Sequence, residues 1–261
     1  MIVETVDRRV LGALRCVDAV SKAQVLEPLL VESDQLRLRR NASQLWVVFD
    51  GPGMHDVTTQ FELTSQWPNP SDFQVSIRSI SGRYLPRRAS VRMPRTLDTV
   101  ADPNAPPPPS PDSIKVPLDI TLYPAPTAST FPNWALVRAW VTKNNSSEGL
   151  PWAVLRLTRN SDKSLITTGV ANEKGDALLA IPGLGISASQ NGGGAVTEPT
   201  IDATLTAYWD PGNQSQPASW MADPDVILND LANPKWKTFV FPQPVKIGRG
   251  TLSKIKLPIP V

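Results

Sequence analysis

One cysteine and one histidine in 261 residues remove most metal and nucleophile chemistry before any fold is considered. Cys16 can form no intrachain disulfide, which excludes a small secreted domain stapled by bridges. It stands in the apolar run Leu14-Arg15-Cys16-Val17 and reads as a buried small hydrophobe. His55 follows Gly51-Pro52-Gly53-Met54 as a loop residue, with no second histidine to complete a zinc site. Ser-His-Asp chemistry would have to use His55, and no Gly-x-Ser-x-Gly turn presents a serine to it. No metal, cofactor or catalytic set is therefore expected. Apolar runs also fall short of the roughly 18 residues that cross a bilayer as a helix. The opening stretch Met1–Arg9 has acidic residues and no apolar leader core, so the expectation is cytoplasmic synthesis without a signal peptide, with release only as part of a larger particle. A net charge of +2 is too mild to imply nucleic-acid binding.

What the chain has in quantity is proline, 27 residues, about twice the usual share. That content opposes a helical protein and favours short strands joined by ordered loops. One strand pattern occurs twice. Near the N-terminus it runs Val10–Asp18, Leu26–Ser33, Gln35–Arg40, a turn at Asn41–Ser43, and Gln44–Gly53. In mid-chain it runs Ala135–Thr142, Trp152–Arg159, Ser164–Val170, a turn at Asn172–Asp176, and Ala177–Gly183. Repetition on this scale predicts an all-β protein of two tandem sandwich domains. Alternating runs at Val57–Leu63, Phe73–Ile80 and Ala89–Met93 bring the first domain to about seven strands.

Four consecutive prolines, Pro106–Pro109, favour an extended spacer with no backbone donors for a sheet. The expected division is an N-terminal sandwich over 1–95, a Pro-rich linker over 96–113 and a C-terminal sandwich over 114–261, with Val116–Leu122 leading into the second domain. After the second repeat, Gly192-Gly193-Gly194 marks a loop or hairpin tip, and Thr200–Tyr208 alternates as a strand. One short helix is expected over Asp223–Leu231, with Asp223 accepting from the first free amides and Pro224 in the first turn. The tail Thr238–Phe241, Val245–Gly248 and Leu252–Leu257 offers two or three closing strands.

Two residue groups suggest recognition. Arg83, Arg87, Arg88, Arg92 and Arg95 crowd one segment and are expected on the solvent side of a strand whose Ala89, Val91 and Met93 point inward. Such charge either blocks edge-to-edge aggregation or docks a carboxylate-rich protein neighbour. Of the eight tryptophans, most are expected in the core, while Trp209 and Trp220 flank the loop Asp210–Ser219 and could stack on a sugar. Asp210, Asp223, Asp225 and Asp230 suit loop and capping roles.

The stretches Glu148-Gly149-Leu150-Pro151-Trp152 and Thr167–Gly183 resemble the carboxypeptidase regulatory-like, or transthyretin-like, β-sandwich family. Gly175 has a physical place in that pattern, because the Glu-Lys-Gly turn needs a residue with positive φ. The whole arrangement, through Leu14–Ala19, Gly82–Arg95 and the mid-chain repeat, also looks like accessory proteins of contractile phage-tail-like injection systems. That resemblance implies a non-enzymatic structural or adaptor subunit in multiple copies among other proteins, as a sheath, baseplate or cap decoration. The alternative is a carbohydrate-binding or adhesin-type module using exposed tryptophans.

Overall fold

The computed structural model describes residues 10–59, 67–97, 110–131, 134–144, 146–182, 200–214, 216, 220–247 and 250–260. The proline run 106–109 and the glycine cluster 192–194 lie outside these residues. Alternating sequence becomes strand nearly throughout, and the fold is an all-β sandwich architecture. The chain divides into two compact units that interleave in sequence. The first takes Met1–Val17, Ala23–Arg78 and Arg88–Thr121, and the second takes Asp18–Lys22, Ser79–Arg87 and Leu122–Val261.

In the first unit one sheet is built from β1 (Gly12–Asp18), β3 (Arg37–Arg40), β4 (Trp46–Asp50) and β7 (Leu118–Leu122), in the order β3-β4-β1-β7. The other is β2 (Leu29–Glu32), β5 (Ser71–Ser79) and β6 (Arg87–Met93), in the order β2-β5-β6. Gly12 lets the two sheets approach, since a Cβ there would lie 2.8 Å from Met93 Sδ. Alternation sorts the faces: Phe73, Val75 and Ile77 of β5 and Ala89, Val91 and Met93 of β6 are buried, and the residues between Phe73 and Ile77 and between Ala89 and Met93 face outward.

Two expectations change here. Val57–Thr59 is the end of a short helix, α1 (His55–Thr59), and not a strand; the remainder of that expected strand lies outside the described residues. Met54, Val57 and Thr58 are all buried, a spacing that puts them on one side of a helix, and Thr58 Oγ1 donates to the His55 carbonyl. His55 thus begins the helix and is not a loop residue. The missing strand is supplied by β7, which was expected to lead into the second domain. It lies beside β1, where Arg15 grips Asp119 through Nε–Oδ1 at 2.6 Å and Nη2–Oδ2 at 2.8 Å. The expected linker also has both described ends inside the first unit. Thr96 and Ser113 form a parallel bridge, Thr96 N donates to the Asp112 carbonyl, and Ile114 N donates to that of Thr96.

The second unit packs β8 (Ala135–Lys143), β11 (Asp176–Ile181) and β15 (Gly250–Ile259) against β9 (Val154–Arg159), β10 (Leu165–Val170), β12 (Ile201–Trp209), β13 (Lys237–Val240) and β14 (Val245–Ile247). Its core is formed by inward residues of both sheets, such as Val137, Val141 and Leu179 facing Leu155, Leu205 and Trp209. β15 runs parallel to β8, the remaining registered pairs of this unit being antiparallel. A second cluster joins Ala19 and Leu85 to Tyr123, Val154, Ile227 and Trp236, which is why 18–22 and 79–87 belong to this unit.

The two sequence repeats share part of their topology. In each, the first and fourth strands pair antiparallel, β1 with β4 and β8 with β11, and the second strand sits in the other sheet. The third strand differs. β3 turns back onto β4 through Asn41–Leu45, whereas β10 pairs with β9 through the turn Arg159–Ser164. Turn closure decides this: Asn41 N bonds the Leu45 carbonyl in one case, and Arg159 N bonds the Ser164 carbonyl in the other.

Candidate interaction site

Within β6 the arginines divide by strand parity: Arg88 and Arg92 are exposed, and Arg87 shares the inward parity of Ala89, Val91 and Met93 and is buried. Outside the strand, Arg83 is exposed and Arg95, which follows two buried residues, is buried as well. Arg87 and Arg95 therefore cannot serve an external partner as a continuous strip with the other three. Arg95 reaches inward to Asp112 at 3.4 Å and to the Pro111 carbonyl, tying down one end of the proline-rich stretch. Its own carbonyl accepts from Trp67 Nε1 at 3.0 Å.

Arg87, 3% exposed, donates from Nη2 to Asp223 Oδ1 at 2.8 Å and to Asp225 Oδ2 at 2.6 Å. These carboxylates open the short helix α2 (Asp225–Leu228), where Asp223 Oδ1 also accepts from Asp225 N. The helix is shorter than the expected Asp223–Leu231 and Pro224 takes the cap position, so Asp223 accepts from the first helical amide from one residue further out, and the ion pair is an addition that sequence reasoning missed. Burial first, and then the nearby Asp225 carboxylate, push the Tyr123 phenol well above its ordinary value. The arrangement is a buried polar tie between distant segments of the second unit, not an open site.

Asp18 forms a second such tie. Its Oδ1 accepts from Val20 N, Ser21 N and Ser21 Oγ, and its Oδ2 accepts from Tyr84 Oη at 2.8 Å. Burial raises the Asp18 pKa, but the bonds from Ser21, Tyr84 and Val20 outweigh it and hold the carboxyl below its ordinary 3.8. Asp18→Asn is expected to cost about 1–3 kcal/mol at pH 7. A folded pKa below the unfolded one stabilises above 3.8, so this advantage should fade as pH falls through the folded value. Chemical denaturation of both proteins across that range checks it; an unchanging gap would mean that the charge of Asp18 is not what matters.

Trp209 is fully buried, and its Nε1 donates to the Pro151 carbonyl at 3.0 Å, so it offers no stacking face for a sugar. The expected Trp209 and Trp220 platform is corrected accordingly: β12 alternates Ala203, Leu205, Ala207, Trp209 into the core. Trp220 is half-buried. Trp140 carries Lys254 and Lys256 over its ring at 5.1 and 5.4 Å, which covers its face with cations.

A pocket of about 380 Å³ opens in the first unit, lined by Val10, Arg39, Arg40, Asn41, Ala42, Val47 and Phe49. It was not foreseen from sequence. Arg39 and Val47 are register partners on β3 and β4, with Ala13 of β1 next to Val47 on the same face. Val47, Phe49 and Ala13 are all half-exposed, so this sheet face is only partly covered. Each neighbouring arginine is engaged: Arg37 with Asp50 at 3.7 Å, Arg15 with Asp119, and Arg40 with the Leu26 and Glu27 carbonyls while lying 5.8 Å over Trp46. Arg39 is exposed and has no hydrogen bond or ion pair among the described residues. Those residues also contain no group of three or more metal-ligating side chains and no helix long and apolar enough to cross a membrane.

No family model matches the chain, and no curated protein matches it. Among solved structures, the Bacillus anthracis TIE protein is similar at a TM-score of 0.26 and 11% identity, over 95% of this chain and 34% of that one. This chain thus spans about a third of that protein's length, and a likeness of this size carries no argument about function.

Proposed function

We propose that this protein is a non-enzymatic structural or adaptor subunit of a larger protein assembly, such as a contractile phage-tail-like particle. The observation that supports this reading best is the outward face of β5 and β6. There Arg78, Arg88 and Arg92 stand exposed on a sheet whose other side is core. Leu30 of β2, 44% exposed, adds an apolar group to the same sheet's outward parity. Arginine fans on a rigid strand make bidentate contacts with carboxylates and lose little freedom in doing so, which suits docking more than turnover. In this reading the second unit is a carboxypeptidase regulatory-like sandwich that acts as a spacer.

The test is the double substitution Arg88→Glu with Arg92→Glu. Exposed positions should tolerate it within about 0.5 kcal/mol. Incorporation into the native assembly should nevertheless fall sharply, because like charges would then face a carboxylate-bearing surface. Equal co-purification of wild type and double mutant with the same neighbours would remove these arginines from the interface. A chain that stays monomeric beside all its native neighbours would overturn the adaptor reading.

A further inference from the structure

We infer that the pocket under Arg39 receives an extended segment of a partner protein, one that carries an apolar anchor side chain with a carboxylate within two residues of it. The inference rests on the adaptor reading and gives its partner a chemistry.

Volume comes first. At about 380 Å³ the pocket lies at the small end of the range for ligand pockets, roughly 300–1,000 Å³, and has room for at least one large side chain. Its lining is apolar at Val10, Val47 and Phe49, so burying an apolar group there gains the transfer energy that Val10, 41% exposed, now forgoes. Charge comes second. Arg39 and Arg40 bring two cations to the lining and no carboxylate lines it. Arg40 is already committed to the Leu26 and Glu27 carbonyls, which leaves Arg39 as the available guanidinium among the described residues. An apolar pocket with a free guanidinium at its mouth complements an apolar group with an acid beside it.

The shape of the surroundings chooses between a small carboxylate and a protein segment. Small ligands are held by pockets that cover about 70–90% of their surface. This pocket opens on a sheet face and a hairpin, where Asn41 and Ala42 are exposed, and its open mouth leaves part of an occupant uncovered. A protein segment obtains the rest of its contact from the flanking strand and hairpin. An extended chain also places an anchor and a following acid on one face at every second residue. Nucleic acid would find one aromatic in the lining, Phe49, and no second platform for a successive base, the nearby Trp46 ring having Arg40 5.8 Å over it.

The experiment uses the full chain in its native host, with p-benzoylphenylalanine replacing Ala42 beside the pocket and, in a separate protein, replacing Ser90 on the outward face of β6. Irradiation followed by mass spectrometry should identify one partner segment attached through position 42, carrying an apolar residue with Asp or Glu within two positions. Adding Arg39→Glu should reduce that adduct at least about tenfold, as expected for loss of one good charged contact. Reversing the partner's acid to Arg should restore it. The inference is overturned by a segment with no such acid, by an adduct indifferent to Arg39→Glu, or by an adduct with a second copy of this chain. An adduct through position 90 and none through 42 overturns this pocket but leaves the adaptor reading standing. Adducts from neither position overturn both.

Discussion

Replacing Gly175 by valine is expected to destabilise the second unit by about 3–5 kcal/mol. Two effects add. Gly175 sits at φ +80°, a left-handed conformation that costs a β-branched side chain on the order of 1–3 kcal/mol. A Cβ at this position would also run into the Val141 carbonyl oxygen and come to 3.0 Å of Leu150 N. Those are backbone atoms in use: Val141 N donates to the Gly175 carbonyl, and Leu150 N donates to the Val141 carbonyl. They cannot withdraw without breaking the hairpin's attachment to β8. Gly175→Ala separates the two effects, because alanine is penalised less by the dihedral but meets the same atoms. If chemical denaturation shows Ala costing about 1 kcal/mol, the dihedral alone is at work and the close approach is absent. If Ala costs about 3 kcal/mol or more, crowding dominates.

Arg87→Ala is expected to cost about 3–5 kcal/mol, since it removes one cation from between two carboxylates in a buried setting. Asp223 is 12% exposed and Asp225 43%, so solvent relieves Asp225 in part, and the lower end of that range is the better expectation. The cost should come mostly from what is left behind. Arg87→Met combined with Asp223→Asn and Asp225→Asn should therefore be more stable than Arg87→Ala alone. Thermal unfolding of the single and triple variants measures this. A triple variant worse than the single one would mean that Arg87 contributes mainly through attraction and packing, not by neutralising its partners. Because Arg87 and the α2 carboxylates lie 136 or more positions apart, loss of the tie should also expose 220–236 to earlier hydrogen exchange.

Much of the strand content could be read from alternation. The second repeat maps closely onto β8, β9, β10 and β11, and the Gly175 turn has the positive φ that its Glu-Lys-Gly context demands. Parity held more information than charge intuition allowed. Arg87 falls on the same odd positions of β6 as Ala89, Val91 and Met93, and that parity places it inward, against the habit of putting arginine outside; Arg95 is buried beyond the strand's end, where alternation no longer decides. Trp209 likewise extends the series Ala203, Leu205, Ala207 by one step into the core. At Val57 the reverse happened: a short alternating stretch concealed a helical spacing with Met54 and Thr58, because few residues separate the two periods.

The composition and periodicity of this chain settle that it is all-β, where its strands in the two repeats lie, and which side of each strand is apolar, since these depend on residues two positions apart. They could not say what lies across each face. The answering carboxylates of Arg87, the parallel seating of β15 on β8, the use of β7 as an edge strand of the first unit and the pocket beside Arg39 all arise from pairings between distant segments. Such pairings are chosen by competition for burial and hydrogen bonds among many strands of similar pattern, and a local period is the same whichever partner wins.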